Sequence, residues 1–444
     1  MTEDSRPAVH DRRDVSAESL GRPTRVRHLV LAWICSLSVI TYLDRVSIAG
    51  SAPYISEELG MTPVQMGMVF SAFAIAYAAF EVPGGWLADR IGPRKVITRI
   101  VVWWSIFTVI TGLVHRLWSL IVVRFLFGAG EAGMYPNAAK VFSSWAPSTE
   151  RGFVSGMMWM WARLGGAFAP GLVVYLIAHT GWRPTFWIFG SIGIVWAVFF
   201  WFWFRDTPRE KSGVNQAELR LIEAGGAVSA PAHSHLHIRW GRFLRNGNLW
   251  AICWMYFCFA YGWYFYITWL PTYLKAKGAS MMQAGIYGGM PLLFGAVGSV
   301  LGGLLTDYVV KKTGNLKNRR YIGAASFALG SGFMVSSAWL DDPLSAVLAI
   351  SMASFFGDLT LSSCWAVCMD VGHELAGTVS AFMNMWGNFA GFIFPAATGL
   401  MVQRFQNWDL PVVVSGVIFF GGALLWLRID PTQSVLKDPE PARA

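Results

Sequence analysis

The sequence predicts an all-α membrane protein with twelve transmembrane helices in two pseudo-symmetric six-helix bundles. Three observations carry that expectation. Of 444 residues, 55% are hydrophobic and 14% charged, against about 25% charged in soluble domains, so the chain cannot supply the polar skin that several soluble domains would need. Apolar runs of about 20 residues, the length that crosses a bilayer, recur twelve times. The two halves of the chain also echo each other, the mark of a duplicated six-helix unit. A positive mean hydropathy, 23 tryptophans and 31 phenylalanines agree, and they exclude disorder, a collagen-like repeat and a disulfide-stapled secreted module.

Residues 1–27 are charged, Arg-rich and without an apolar stretch, so no cleavable signal peptide is expected and the first helix acts as its own insertion signal. Six spans follow in 28–204, at approximately 28–50, 64–88, 96–114, 117–140, 151–178 and 183–204. A polar central loop occupies 205–248. The second bundle fills 249–428, with spans near 249–274, 281–310, 320–339, 343–370, 375–402 and 411–428, and 429–444 forms a tail.

The net charge of +9 would suggest nucleic acid in a soluble protein. Here the basic residues collect in a few short loops, including Arg22, Arg25, Arg27, Arg90, Arg94, Lys95, Arg205, Arg209, Lys311 and Lys312. The positive-inside rule then places both termini and the central loop in the cytoplasm of an inner-membrane protein. Nucleic acid is not an expected partner, and the chain is expected to work as a monomer. The five cysteines all fall in apolar runs and read as small core residues. His233, His235 and His237 alternate in the central loop without an acidic or cysteine companion, so a solvated linker is expected and no metal. No nucleotide-binding loop, nucleophile elbow or zincin pattern is present, so no cofactor and no enzyme activity are expected.

The internal echo consists of Gly85-Trp86-Leu87-Ala88-Asp89-Arg90-Ile91-Gly92-Pro93-Arg94-Lys95 after the second span, and Gly302-Gly303-Leu304-Leu305-Thr306-Asp307-Tyr308 with Lys311-Lys312 after the eighth. Small residues let helices approach, an acid sits at a helix end, and a basic cluster closes the turn. The first copy resembles the loop signature of the major facilitator superfamily, and the second resembles its degenerate repeat. Tyr42-Leu43-Asp44-Arg45, Arg124 with Gly128-x-Gly130-Glu131-Ala132-Gly133, Asp206-Thr207-Pro208-Arg209-Glu210-Lys211, and Asn384 with Asn388 resemble the anion:cation symporters of that superfamily. That group includes hexuronate, galactonate, glucarate and phthalate permeases and the sialin-type carriers.

A charged side chain inside a span costs several kcal/mol unless it is paired or lines a wet cavity. Asp44, Arg45, Glu81, Arg124, Glu131 and Arg163 are such exceptions. A guanidinium fork can hold a carboxylate through two parallel hydrogen bonds, and the resemblance assigns that anchor to Arg45, with Tyr42 beside it; an ion pair of Arg45 with Asp44 or Glu131 that only holds helices together is the alternative. Asp44 and Glu131 are candidates for the coupling proton, modulated by Arg124; a structural Arg124–Glu131 pair is the alternative. Arg163 is expected to meet a second carboxylate or sugar hydroxyls, or else to pair with Glu131 or Glu81. Tyr261 and Tyr264 share a helix face ahead of Pro271 and can donate to a hydroxylated substrate, while Ser362, Ser363, Trp365, Asn384 and Asn388 are polar or amphipathic groups in apolar spans; the resemblance makes these five substrate contacts, with helix-to-helix hydrogen bonding the alternative. Asp89, Arg90, Arg94, Lys95 and Asp307 read as a cytoplasmic gate, with Glu81 in the same network. The resulting expectation is proton-coupled symport of an organic anion, with a sugar acid (hexonate, hexuronate or aldarate) as the expected substrate. The competing readings are an uncoupled organic-anion facilitator or exchanger, a drug-efflux carrier, and a membrane-embedded sensor or enzyme.

Overall fold

A computed structural model describes residues 22–226 and 240–435, and these contain helices and connecting turns but no strand. The three alternating histidines and the outer parts of both tails lie outside the described residues. The described residues form seventeen α-helices, and short breaks join some of them into twelve rods, six on each side of the central segment. The first bundle comprises α1 (Val26–Leu59), α2 (Pro63–Ile91), α3 (Pro93–Thr111), α4 (Leu117–Glu131) continued by α5 (Met134–Trp145), α6 (Arg151–Thr180) and α7 (Trp182–Trp203). The central segment contributes α8 (Gln216–Ala224) and α9 (Trp240–Phe243). The second bundle comprises α10 (Gly247–Thr268) with α11 (Leu270–Ala276), α12 (Met281–Gly288) with α13 (Met290–Thr313), α14 (Arg319–Ser336), α15 (Pro343–Gly372), α16 (Ala376–Phe405) and α17 (Asp409–Arg428).

Helix starts follow local chemistry. Thr62 and Gln65 form a reciprocal capping box ahead of α2, and Ser280 and Gln283 do the same for α12. Asp342 accepts from the Ser345 amide and Pro343 opens α15, where its missing N–H costs nothing. The break between α4 and α5 needs glycine twice over. Gly133 has φ 88°, and a Cβ there would lie 2.9 Å from the Gly84 Cα of α2. Asn137 of α5 bridges the break by donating to the Gly133 and Gly84 carbonyls.

Within the first bundle α1 packs on α6, α2 on α4, and α3 on α7; within the second α13 and α14 pack on α15, and α10 on α16 and α17. Two crossings join the bundles, α6 against α13 and α2 against α16, related as the two halves of the sequence are. Both rely on bare backbone: a Cβ on Gly303 would stand 2.3 Å from the Gly152 carbonyl, and one on Gly85 2.5 Å from the Gly377 carbonyl. Large apolar side chains such as Phe199, Phe202, Phe392, Leu400 and Val417 cover the outer surface. Among the described residues eight stretches are long and apolar enough to cross a membrane, one of them, Pro343–Phe405, holding two helices, and nine if the bent α6 is included.

Candidate functional site

The two bundles line a central cavity of about 90 Å³, a tight space compared with the ~300–1,000 Å³ usual for small-ligand sites. Its wall is largely aromatic, with Tyr42, Tyr77, Tyr135, Trp159, Tyr256, Trp263 and Tyr264, and its charge comes from Arg45 and Arg163. Asn384 and Asn388 close it from the second bundle.

Arg45, on α1, donates from Nε to Glu131 Oε1 at 2.5 Å. Its guanidinium lies 4.6 Å from the Tyr77 ring and 5.9 Å from that of Tyr135, a geometry that favours a desolvated cation. The pairing is incomplete, because Arg45 Nη2 and Glu131 Oε2 are buried without a protein partner. Glu131 is the last residue of α4, so the break that Gly133 permits sets its direction. Asp44 is not at the cavity wall; it is buried near Glu131 and Arg124, and neither carboxylate oxygen is hydrogen-bonded. Arg124 lies 4.3 Å from the Phe127 ring with its Nε unpartnered. Glu131 is therefore bonded to Arg45, and in place of the alternative, a direct Arg124–Glu131 pair, there is a looser cluster of two acids and two guanidiniums.

Arg163, from α6, meets neither Glu131 nor Glu81. It donates in fork geometry to Asp358 of α15, Nε to Oδ2 at 3.2 Å and Nη2 to Oδ1 at 2.7 Å, with the Trp263 ring 4.8 Å away. This buried pair crosses between the bundles. Sequence reasoning missed Asp358 although the signal was there: an acid in an otherwise apolar span, the criterion that found Asp44 and Glu81.

Glu81 corrects another expectation. It is fully buried behind the cavity wall, apart from the Asp89 turn, and its two oxygens accept the side-chain amides of Asn384 and Asn388. Tyr264 donates to Asn388 Oδ1 at 3.4 Å, extending the chain of hydrogen bonds along the second bundle. Four other expected substrate contacts are not at the wall. Ser362 is buried against α13, donating to the Ser299 carbonyl, and Ser363 is held there by Thr306. Tyr261 packs edge-on to Phe394, 4.8 Å between ring centres. Trp365 is wholly buried behind Trp159, at 5.5 Å. Serines and tyrosines in apolar spans serve helix packing as readily as ligands, and the sequence does not show which face they take.

The basic turns lie at one end of the molecule, where the bundles are locked together. Asp89, at the end of α2, accepts the Gly377 and Thr378 amides and the Thr378 hydroxyl at the start of α16. Asp307, at the end of α13, accepts the Gly152 and Phe153 amides at the start of α6. Each acid caps a helix of the opposite bundle, where free N–H groups and the helix dipole favour a negative charge. Lys140 lies 3.3 Å from Asp89 and donates to the Glu374 carbonyl. Arg319, fully buried, lies 3.4 Å from Asp307 and 3.1 Å from Asp370, which also receives Arg151 at 2.7 Å. Arg90, Arg94 and Lys95 do not take part: Arg94 donates to the Trp201 carbonyl within its own bundle, Arg90 stacks on Trp86, and Lys95 is exposed. Short loops bring these cations beside their own helices, out of reach of the opposite bundle. Asp206, outside the spans, accepts the Arg94 amide, and burial pushes its carboxyl above the ordinary value. The described residues hold no cluster of His, Cys, Asp or Glu able to bind a metal.

Two six-helix bundles around a polar cavity, sealed at one end by matched caps, define a membrane carrier and not an enzyme. The family model of the Major Facilitator Superfamily matches residues 34–395, and the chain belongs to that superfamily. It is 37% identical to a probable sulfoacetate transporter of Cupriavidus necator, over 94% of this chain and 97% of that one. It is 31% identical to a probable galactarate/D-glucarate transporter of Bacillus subtilis, over 93% and 94%. Among solved structures the fucose:proton symporter of E. coli superposes with a TM-score of 0.71 at 14% identity, covering 91% of this chain and 99% of that one, which shows the shared fold.

Proposed function

We propose that this chain is a proton-coupled symporter that brings a small organic anion into a bacterial cell across the inner membrane by alternating access. The relatives named above are transporters of small organic acids, and the Arg45–Glu131 pair supports the same chemistry here. Arg45 lines the cavity and its Nη2 is buried without a protein partner, as is Glu131 Oε2. An entering carboxylate or sulfonate takes the fork of Arg45. Glu131 then loses its countercharge in a low-dielectric site and gains a proton, since a buried unpaired carboxylate is far costlier than a neutral one. Anion and proton are thereby bound together. Asp44, with no hydrogen bond of its own, relays the proton and is biased by Arg124.

The end sealed by Asp89 and Asp307 faces the cytoplasm in this reading, so the cavity loads from outside. Release follows when the bundles rock and both acids leave their helix caps. A charged, fork-lined cavity argues against apolar drugs as cargo. Purified protein in liposomes containing a pH-sensitive dye tests the reading. Adding sulfoacetate or D-glucarate outside should acidify the lumen, and anion uptake without proton entry would refute coupling.

A further inference from the structure

Arg163–Asp358 is a second arginine–carboxylate pair at the same cavity, and the anchoring chemistry of Arg45 does not use it. We infer that this pair is the receptor for the second negative charge of a dianionic substrate, and that Asp358, once displaced, takes up a second proton. The inference rests on the proposed symport and extends it to charge state and stoichiometry.

Three observations carry it. First, Arg45 and Arg163 line one cavity, each held by a single carboxylate, so a ligand with anionic groups at both ends can replace both acids at once. Second, Asp358 comes from α15 and Arg163 from α6, so the exchange loosens a contact that ties the bundles together. Third, charge has to balance. In and behind the wall lie the guanidiniums of Arg45, Arg124 and Arg163 and the carboxylates of Asp44, Glu81, Glu131 and Asp358. Three cations face four acids before any anion arrives, so each added negative charge calls for a proton in a buried site.

The surroundings of Asp358 suit a carboxyl that changes state. On the α6 side it meets Arg163; from α10 the Tyr266 ring lies within electrostatic reach and its buried hydroxyl has no partner. Tyr42 of α1 and Tyr256 of α10 neighbour Arg163. On the α13 side the contact is Gly295, where a Cβ would fall 1.9 Å from Asp358 Oδ2. An uncharged wall of aromatic rings and backbone offers the carboxylate no other cation once Arg163 turns to the ligand.

Membrane-potential dependence in proteoliposomes tests this, with sulfoacetate and D-glucarate as dianions and D-galactonate as monoanion. In the wild type, two protons balance a dianion and uptake should not respond to potential. Asp358→Asn should carry one proton per dianion, so an inside-negative potential of about 60 mV lowers sulfoacetate accumulation roughly tenfold and leaves D-galactonate uptake unchanged. Potential-independent dianion uptake by this variant overturns the second proton. Equal loss for mono- and dianions shows a purely structural pair and overturns the receptor role. If Asp358→Asn does not fold, Arg163→Gln/Asp358→Asn removes both charges together. It should lose dianion uptake by a much larger factor than galactonate uptake, and an equal change in the two also overturns the inference. Proton-driven galactonate uptake by the wild type with no dianion transport would sink this inference and leave the proposed symport standing; no proton-driven uptake of any anion would sink the symport itself.

Discussion

At the residue scale, the functional argument turns on what a guanidinium fork does that an ammonium cannot. Arg45→Lys keeps the charge but loses parallel donation to an anion. A charged hydrogen bond contributes about 1.5–3 kcal/mol, so uptake efficiency in kcat/KM should fall roughly 10- to 100-fold, as initial-rate assays would show; an unaffected variant would remove Arg45 from anion binding. The charged residues of the first bundle were legible from sequence because burying a charge is rare and costly, and the structure brings Asp44, Arg45, Arg124 and Glu131 into one cluster. Their pairing was not legible, since it depends on helix rotation and on the break after Glu131. Ser362, Ser363 and Trp365 show the converse: polarity in an apolar span marks a residue that needs a partner, and here the partners are Ser299, Thr306 and stacked aromatic rings rather than the cavity.

At the scale of elements, the α6–α13 and α2–α16 crossings are each a glycine contact beside an acid that caps a helix. Gly303 meets the Gly152 carbonyl, and Asp307 caps the same helix start. Gly303→Leu should hold α6 and α13 apart, so spin labels at Thr149 and Lys312 should report a longer distance than in the wild type; an unchanged distance would mean that the contact does not set closure. Asp89→Ala should open the α2–α16 crossing in the same manner, read by labels at Arg90 and Glu374. Most helix boundaries lie within a few residues of the apolar runs because span length is set by bilayer thickness, whereas α1 continues to Leu59, well past the run that ends near 50. The breaks at Trp269 and Gly289 were hidden inside those runs, where hydropathy does not register a change of backbone direction. The capping acids Asp89 and Asp307 were legible from the repeated motif, whereas Lys140, Arg151, Arg319 and Asp370 come together only through tertiary packing.

At the scale of the whole molecule, a closed end, a charged cavity and two matched crossings form the frame that alternating access requires. The buried Arg319 network adds to the stability of the closed end. Arg319→Ala leaves Asp307 and Asp370 short of countercharge, and losing one partner of such a network costs about 3–5 kcal/mol, so thermal unfolding in detergent should shift clearly downward; an unshifted transition would show the network to be dispensable. The central claim is that Glu131 exchanges a proton for its hold on Arg45. The most direct test compares uptake driven by a pH gradient with anion counterflow in Glu131→Gln proteoliposomes. The account predicts loss of gradient-driven accumulation with exchange retained, and accumulation equal to that of the wild type would contradict it.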